Sequence, residues 1–196
     1  MTTVVIAMHY QNEVLHARGR IRVGVAEGAA GRDVLAERAG RLLSEARRHG
    51  VPVVSVRIAF RPDHADVIRN CKIFRDVVAN RAMVDGEWGA EFHEGLGPLP
   101  GEHVVKHTRV NAFYGSQLEE VLRVLGATRL VMAGIATNSV VETTARHAAD
   151  VGYEVIVVAD ACSSGNPALH EAALENLRLL GEVESVDEVV ARFAAR

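Results

Sequence analysis

The chain has 196 residues, of which 48% are hydrophobic and 24% charged, enough for one well-filled core but too few for two enzyme domains, so we expect a single domain over residues 1–196. A net charge of −3 without a basic patch argues against nucleic-acid binding, and apolar runs of strand length argue against a membrane span, which needs roughly 20 apolar residues. The sequence does not open with a charged leader and apolar core, and its two cysteines fit neither a disulfide framework nor a zinc site, so we expect a cytoplasmic protein.

Short β-branched segments alternate along the chain with longer segments of helical period. The predicted strands cover residues 3–9, 52–58, 103–106, 129–133 and 154–159, with a short strand near Val183. The predicted helices cover residues 33–49, 116–125, 139–151, 167–180 and 185–193. This alternation predicts an α/β fold, a three-layer α/β/α sandwich around a mainly parallel six-stranded sheet.

Residues 59–100 break this alternation. The segment has little periodicity, ends in a stretch rich in glycine and proline, and carries Trp88, the only tryptophan. A long irregular segment of this kind is usually a site-forming excursion or an oligomer contact. Together with the apolar helix at 139–151 and the modest net charge, it leads us to expect a homo-oligomer whose neighbouring subunit helps to close the pocket.

The strand ends indicate where a site lies, because ligands of open α/β sheets bind beyond the carboxyl ends of the strands. His9 and Lys106 end two predicted strands, and Asp160 follows another. The turn at residues 134–140 leads from a further strand directly into a helix. We therefore expect these groups to meet in one crevice, where the free amides of the turn suit an anion.

Four segments resemble one enzyme family. Residues 9–14 read His-Tyr-Gln-Asn-Glu-Val where that family has Asp-Met-Gln-Asn-Asp-Phe, and residues 105–115 carry Asn-Ala-Phe after a lysine where it has Ser-Ala-Phe. Residues 134–141 read Gly-Ile-Ala-Thr-Asn-Ser-Val-Val in place of Gly-Val-Ala-Thr-Asn-x-Cys-Val, and residues 152–162 match the strand and acidic turn that follow. The chain thus resembles the isochorismatase-like family of cysteine hydrolases, which includes nicotinamidases and carbamoylsarcosine amidases. The resemblance also implies a homo-oligomer, a dimer or tetramer.

The resemblance implies a site whose catalytic groups have changed. In the family an aspartate takes the proton of a cysteine thiol, the thiolate attacks a carbonyl or nitrile-like carbon, and a lysine steadies the charges. The matching positions here are His9 for the aspartate, Lys106 for the lysine and Val140 for the cysteine. A valine cannot act as a nucleophile, so we expect a divergent member without thioester chemistry.

His9 and Lys106 are the predicted catalytic residues. The isochorismatases of this fold cleave a vinyl ether without a cysteine by protonating the substrate, and either residue could supply the proton. The alternative for His9 is a strand-end histidine bonded to a backbone carbonyl, and the alternative for Lys106 is an exposed strand-end lysine. A lysine beside a histidine favours a small anionic ligand, such as a carboxylic acid.

Further residues around these positions are expected to bind the substrate. They are Gln11, Trp88, Phe113, Ala136, Thr137, Asn138 and Ser139. Ser139 lies about 100° around a helix from position 140, so its hydroxyl is expected to point away from the nucleophile position. Asn138 is expected to cap the following helix.

Metal binding is not expected. Asp63, His64 and Asp66 lie close in sequence, but the metal-binding nicotinamidases use a different Asp-x-His arrangement, so we predict no metal and no other cofactor. Cys162 follows a strand but occupies no nucleophile position.

The sequence leaves three functions open. The first is an isochorismatase-like hydrolase that acts on a small anionic molecule by acid-base chemistry without a cysteine. The second is a catalytically silent protein of the same fold that binds a ligand or serves assembly. The third is an amidase that uses Ser139 or water.

Overall fold

The computed structural model describes residues 1–25 and 29–195. The strands are β1 (Thr3–Met8), β2 (Val53–Ile58), β3 (His103–His107), β4 (Arg129–Ile135), β5 (Glu154–Ser163) and β6 (Glu182–Glu184). The helices are α1 (Asn12–Leu15), α2 (Ala29–Arg48), α3 (Lys72–Ala79), α4 (Leu118–Val124), α5 (Glu142–Asp150), α6 (Pro167–Leu177) and α7 (Val186–Ala194). A 3-10 turn spans Trp88–Ala90, and a π-helical turn spans Thr137–Val141.

The six strands form one parallel sheet in the order β3-β2-β1-β4-β5-β6. Every residue of the central strand β1 is buried, because helices cover both faces of the sheet. Met8, the last residue of β1, pairs with Val56 on one side and with Gly134 on the other. The carboxyl ends of β1, β2 and β4 therefore lie next to one another.

The helices divide between the two faces according to the direction of the chain. The chain moves from β1 to β2 in one direction along the sheet and from β4 to β5 in the other. Right-handed crossovers in opposite directions place their helices on opposite faces. Accordingly α2 packs against α7, and α5 packs against α6. The direction reverses between β1 and β4, the position at which sheets of this kind bind ligands.

The predicted α/β sandwich with a parallel six-stranded sheet is confirmed, and each predicted strand and helix is present with shifted ends. One shift matters for the site. Strand β5 continues to Ser163, so Asp160 lies within the strand and not at its end. Its carboxylate accepts a hydrogen bond from the Val186 amide (2.7 Å) and fixes the start of α7.

The excursion at residues 59–100 contains structure that was not predicted. Helix α3 and the 3-10 turn both lie within it. Helix α3 is short and buries only Phe74 and Val77, so its periodicity is too brief to stand out in the sequence. No helix among the described residues is both long and apolar enough to cross a membrane.

Candidate active site

His9 lies at the carboxyl end of the central strand. Its amide donates to the Val56 carbonyl (2.9 Å), and its backbone then adopts a φ of +57°, which is uncommon for a residue other than glycine. The side chain is 7% exposed. Because Met8 pairs with Gly134, His9 stands beside Ile135 where the sheet changes direction.

The closest polar partner of His9 is a second histidine, His107. The two Nε2 atoms are 2.6 Å apart, and the ring centroids are 4.8 Å apart. His107 is the last residue of β3, two strands from β1, and it is 1% exposed. Its Nδ1 donates to the Asn111 carbonyl (3.2 Å). The site therefore contains a buried pair of imidazoles in direct hydrogen-bond contact.

Burial disfavours the protonated, charged form of both imidazoles. It lowers the pKa of His9 well below the usual range, His107 lowers it further, and a hydrogen bond to the Ile135 backbone partly opposes both effects. Burial lowers the pKa of His107 to about 4, against a raising effect from its bond to the Asn111 carbonyl. At neutral pH the two rings are therefore neutral.

His9 lines a largely apolar pocket with about 480 Å³ of empty space, open solvent at its mouth included. Its walls are formed by Ile21, Ile58, Phe74, Val77 and Ile135, among other apolar side chains. The polar side chains on the lining are those of His9, Arg109 and Ser139. A lining of this character suits a small ligand with an apolar body and few polar groups.

Arg109 supplies the positive charge of this pocket. Its guanidinium lies 4.3 Å from the centre of the Phe74 ring, and it donates to the Ile68 carbonyl (3.2 Å) and to Asn70 Oδ1 (3.1 Å). None of the carboxylates in the described part of the chain pairs with it. A guanidinium with neutral partners and unused donors is well suited to a ligand carboxylate.

Lys106 does not face His9, and the prediction that it does is wrong. Its Nζ binds Asp85 Oδ2 (2.9 Å), and Arg57 binds the other oxygen of the same carboxylate (2.8 Å). Arg57 and Lys106 are paired across β2 and β3, and successive side chains of a strand point to opposite faces. The face toward His9 therefore carries His107, one residue later, and the expected place of the lysine is taken by a histidine.

The turn at residues 136–140 contacts the pocket through Ala136 and Ser139. Val140, at the nucleophile position, is 1% exposed and buried in the core. The amides of Ser139 and Val141 both donate to the Ala136 carbonyl (3.1 and 3.3 Å), so these two amides are not free for an anion as expected. The π-helical geometry is the reason, since it wraps the turn around that carbonyl.

The prediction that Asn138 caps the following helix is also wrong. Its Oδ1 accepts a hydrogen bond from Ser164 Oγ (2.8 Å), a contact between the turn and the end of β5. Ser139 borders the pocket although its hydroxyl was expected to point away from the nucleophile position. The helical angle between positions 139 and 140 assumed an α-helix, and this turn is not one.

Several residues expected to bind substrate have other roles. Gln11 is fully buried, and its amide bonds the Ile58 carbonyl and amide (2.8 and 2.9 Å) and the Ala90 carbonyl (2.8 Å), which ties the end of β2 to the excursion. Trp88 is 42% exposed and lies outside the pocket, with the Arg18 guanidinium 4.6 Å from its ring. These contacts leave neither side chain facing a ligand in this pocket.

Phe113 and Thr137 are structural as well. The Phe113 ring stacks on His147 with centroids 4.6 Å apart, and it does not line the pocket. Thr137 is fully buried, and its Oγ1 hydrogen-bonds His170 Nδ1 (2.8 Å). Phe113 thus packs against α5, and Thr137 is bonded to α6. Buried hydroxyls usually have a hydrogen-bond partner of this kind.

Glu13 supports the pocket wall and was not identified from the sequence. Its carboxylate is fully buried and binds the Arg20 amide (2.7 Å), Nε (3.0 Å) and Nη2 (2.9 Å). Burial raises the pKa of Glu13, but the hydrogen bonds from Arg20 outweigh it and hold the pKa below its usual value. This ion pair fixes the segment that carries Ile21 against the pocket. Gly89 allows it, because a Cβ there would lie 2.0 Å from Glu13 Oε2.

The residues considered as metal ligands and the thiol considered as a nucleophile do not line this pocket. Asp63 pairs with Arg61 (3.0 Å), and His64 Nε2 bonds the Ala82 carbonyl (2.9 Å). Asp66 accepts the Arg61 amide (3.1 Å). Cys162 is buried, and burial raises the pKa of its thiol to about 12, which makes it a poor nucleophile.

The chain matches a known family over most of its length. Residues 3–188 match the isochorismatase domain. The chain is 31% identical over 189 residues to the ureidoacrylate amidohydrolase RutB of Methylorubrum extorquens, covering 89% of this chain and 75% of that protein. It is 28% identical over 190 residues to the uncharacterized isochorismatase family protein YecD of Escherichia coli O157:H7, covering 96% of this chain and 95% of that protein.

Solved structures agree with this match. An isochorismatase family protein from Burkholderia thailandensis superposes with a TM-score of 0.83 at 30% identity, covering 98% of this chain and 96% of that chain. A cysteine hydrolase from Pseudomonas syringae superposes with a TM-score of 0.87 at 23% identity, covering 98% of this chain and 92% of that chain, which shows a shared fold. From its domain match, its relatives and its fold, the chain belongs to the isochorismatase family of hydrolases.

Proposed function

We propose that the chain hydrolyses a small carboxylate by acid-base chemistry, without a cysteine and without a covalent intermediate. The observation that carries this proposal is the position of His9. Among the described residues that line the pocket, it is the one that carries an imidazole, the side chain best suited to proton transfer.

Three features support a carboxylate substrate with an apolar body. The Arg109 guanidinium keeps unused N–H donors beside its bonds to the Ile68 carbonyl and Asn70, and a carboxylate is a strong acceptor for such donors. The walls are aliphatic and aromatic. The polar pair of His9 and His107 stands at the carboxyl end of the sheet, where the reacting bond would lie.

In the proposed reaction, His9 first takes a proton from solvent, then gives up its contact with His107 and transfers that proton to the substrate at the bond to be broken, which returns the ring to its neutral form. Water then adds to the carbon that this protonation leaves electron-poor, and the proton that this water releases returns to the histidine pair. One water is consumed, one substrate bond breaks, and no atom remains attached to the protein. Val140 supports the absence of a covalent step, because it carries no nucleophile and is buried.

The second candidate is a family member that binds a ligand without turning it over. The observation that favours it is that the Nε2 atom of His9 is already engaged by His107. An imidazole held in this way must move before it can reach a substrate.

The third candidate is an amidase that uses Ser139 or water. The name of the relative RutB, an amidohydrolase, and the place of Ser139 on the pocket lining favour it. It lacks a base, because no histidine among the described residues hydrogen-bonds Ser139 Oγ.

A ligand screen followed by a turnover assay tests the proposal. Small carboxylates, amides and vinyl ethers are first ranked by the rise in unfolding temperature that they cause. The stabilising compounds are then assayed for turnover with wild-type protein and with His9→Gln. The proposal expects carboxylates to stabilise most and turnover to depend on His9. Stabilisation without turnover would favour the binding protein, and turnover of an amide that requires Ser139 would favour the amidase.

Location and assembly are also proposals. Both cysteines are free, which supports a reducing compartment such as the cytoplasm. The mouth of the pocket adjoins a groove lined by Ile68 and Tyr114, whose exposed fractions are 58% and 66%. Exposed apolar side chains of this size beside a site support a homo-oligomer, a dimer or tetramer whose neighbouring subunit covers the groove.

A further inference from the structure

The hydrogen bonds of His107 decide which of its two ring nitrogens carries the proton. Its Nδ1 lies 3.2 Å from the Asn111 carbonyl oxygen, and a carbonyl oxygen can only accept a hydrogen bond. Nδ1 is therefore the protonated nitrogen. A neutral imidazole has one N–H and one bare nitrogen, so Nε2 of His107 is bare and can only accept.

The Asn111 carbonyl is held in place by the loop that carries it. The Asn111 side chain accepts from the Phe113 amide (2.9 Å) and donates to the Thr143 carbonyl (3.3 Å). The next amide along the chain, that of Ala112, donates to Thr144 Oγ1 (3.1 Å). These bonds fasten the loop after β3 to helix α5, so the carbonyl that accepts from the histidine has a fixed position.

The position of the proton on His9 follows from its contact with His107. The Nε2 atom of His9 stands 2.6 Å from the bare Nε2 of His107, too close for a water molecule between them. With its proton on Nε2, His9 donates to that nitrogen, and both hydrogen bonds of the pair are made. With its proton on Nδ1, two bare nitrogens would face each other in a buried site, where an unmade hydrogen bond is costly. The neutral pair therefore leaves Nδ1 of His9 bare.

We propose that His107 is a positioning residue that holds His9 in the tautomer with its proton on Nε2, so that Nδ1 is the nitrogen that exchanges a proton with the substrate. This inference rests on the proposed function. The proton that His9 takes from solvent adds to the bare Nδ1 and leaves from the same atom when the substrate is protonated. The Nε2 proton stays on the ring throughout.

His107 acts on the substrate only through His9. It is 1% exposed, and the described lining of the pocket does not include it. Without an acceptor at position 107, both neutral tautomers of His9 would be populated, and in only one of them could Nδ1 take a proton. Loss of the acceptor should therefore lower kcat and have little effect on substrate affinity.

Nitrogen NMR of the wild-type protein tests the two tautomers directly, because a protonated ring nitrogen and a bare one resonate at well-separated frequencies. At pH 7, where both rings are neutral, we expect the proton of His9 on Nε2 and that of His107 on Nδ1. His64 is an internal reference, since its Nε2 donates to the Ala82 carbonyl (2.9 Å). A proton on His9 Nδ1, or an average of the two tautomers, overturns the inference.

Two variants of His107 separate positioning from packing, in assays with the substrate that the ligand screen identifies. His107→Phe keeps a buried ring without an acceptor, so both tautomers of His9 should appear. Its kcat should fall by about tenfold or more, while KM changes by less than about threefold. His107→Gln carries an amide oxygen that can accept the same hydrogen bond, so the His9 tautomer and most of kcat should be retained.

The control is His64→Phe, which replaces another buried histidine away from the pocket. The His9 tautomer and kcat should both stay as in wild type. Equal losses of kcat in His107→Phe and His107→Gln, with the His9 tautomer unchanged, would show that His107 only packs and would contradict its positioning role. If a variant does not fold, the wild-type spectrum still decides the tautomers.

The outcomes also distinguish this inference from the proposed function on which it rests. The expected tautomers without any His9-dependent turnover would end the proposed function and leave the assignment of the two protons intact. His9-dependent turnover in a protein whose spectrum places the His9 proton on Nδ1 would keep the proposed function and overturn the inference.

Discussion

His107 lies at the end of β3, two strands from His9, yet its Nε2 stands 2.6 Å from that of His9 at the point where the sheet changes direction. The contact connects His107 to an apolar pocket that, among the described residues, is lined by His9 and by the positively charged Arg109. A pair of this kind can take up or release a proton, which is the role proposed for it here.

The pair makes the stability of the fold depend on pH. The pKa of His107 is about 4 in the folded protein against about 6.5 when unfolded, so between these values the unfolded chain binds more protons and stability falls as the pH falls. Full stability is present above pH 6.5, and the loss at pH 4 is on the order of 3 kcal/mol. Urea unfolding measures the free energy of unfolding of wild type and of His107→Gln at pH 7 and at pH 5. We expect this free energy to change less with pH in the variant. Equal slopes would mean that His107 is not buried as a neutral ring.

The ion pair of Glu13 and Arg20 should be a major support of the pocket wall. Glu13→Gln loses charge-assisted bonds to the guanidinium while the site stays buried, so we expect a loss of roughly 2–4 kcal/mol in the free energy of unfolding. Lys72→Gln, which breaks an exposed ion pair with Asp76, is the control and should cost little. Chemical denaturation at pH 7 measures both. Equal losses of unfolding free energy in the two variants would show that the buried ion pair of Glu13 stabilises the fold no more than an exposed one.

No covalent acyl-enzyme should form. Val140 is buried, and the Cys162 thiol has a pKa of about 12. Intact-mass spectrometry after incubation with nicotinamide and N-carbamoyl substrates should show the unmodified protein, and Ser139→Ala should change turnover little. A stoichiometric adduct on Ser139 or Cys162 that forms and decays with turnover is the outcome that rejects this account.

The exposed groove beside the pocket should be covered by another copy of the chain. Light scattering at micromolar concentration is expected to show a dimer or tetramer of the 21.2 kDa chain. Replacing the apolar groove residues Ile68 and Tyr114 with Glu should shift the population toward the monomer, because charged side chains oppose an apolar contact. A monomer in the wild-type protein at that concentration would remove the basis for this prediction.

The sequence predicted the fold well because strand and helix periodicities agree with the sheet order. It also pointed to the carboxyl ends of β1 and β4, which lie next to each other at the topological switch point. Its main error concerned β3. The family resemblance pointed to Lys106, while the alternation of side chains along the strand placed His107 toward His9. Which face of β3 meets the pocket depends on its register with β2, and a single sequence does not fix that register.

Other site residues lay beyond sequence reasoning for similar reasons. Gln11 binds backbone groups of β2 and of the excursion, contacts that exist only after long-range packing. Arg109 reaches the pocket because its guanidinium packs on the Phe74 ring of α3, a helix that was not predicted. The expected cap at Asn138 failed because the turn is π-helical, a geometry without a clear sequence signal.

The most direct test compares turnover by His9→Gln and Lys106→Gln for the substrate that the ligand screen identifies. Loss of a general acid typically costs 10²- to 10⁴-fold, so kcat/KM of His9→Gln at pH 6 should fall by at least about 100-fold. Lys106 is bound to Asp85 outside the pocket, so Lys106→Gln should stay within about twofold of wild type. A near wild-type rate in His9→Gln, or a comparable loss in Lys106→Gln, would contradict catalysis by the histidine pair.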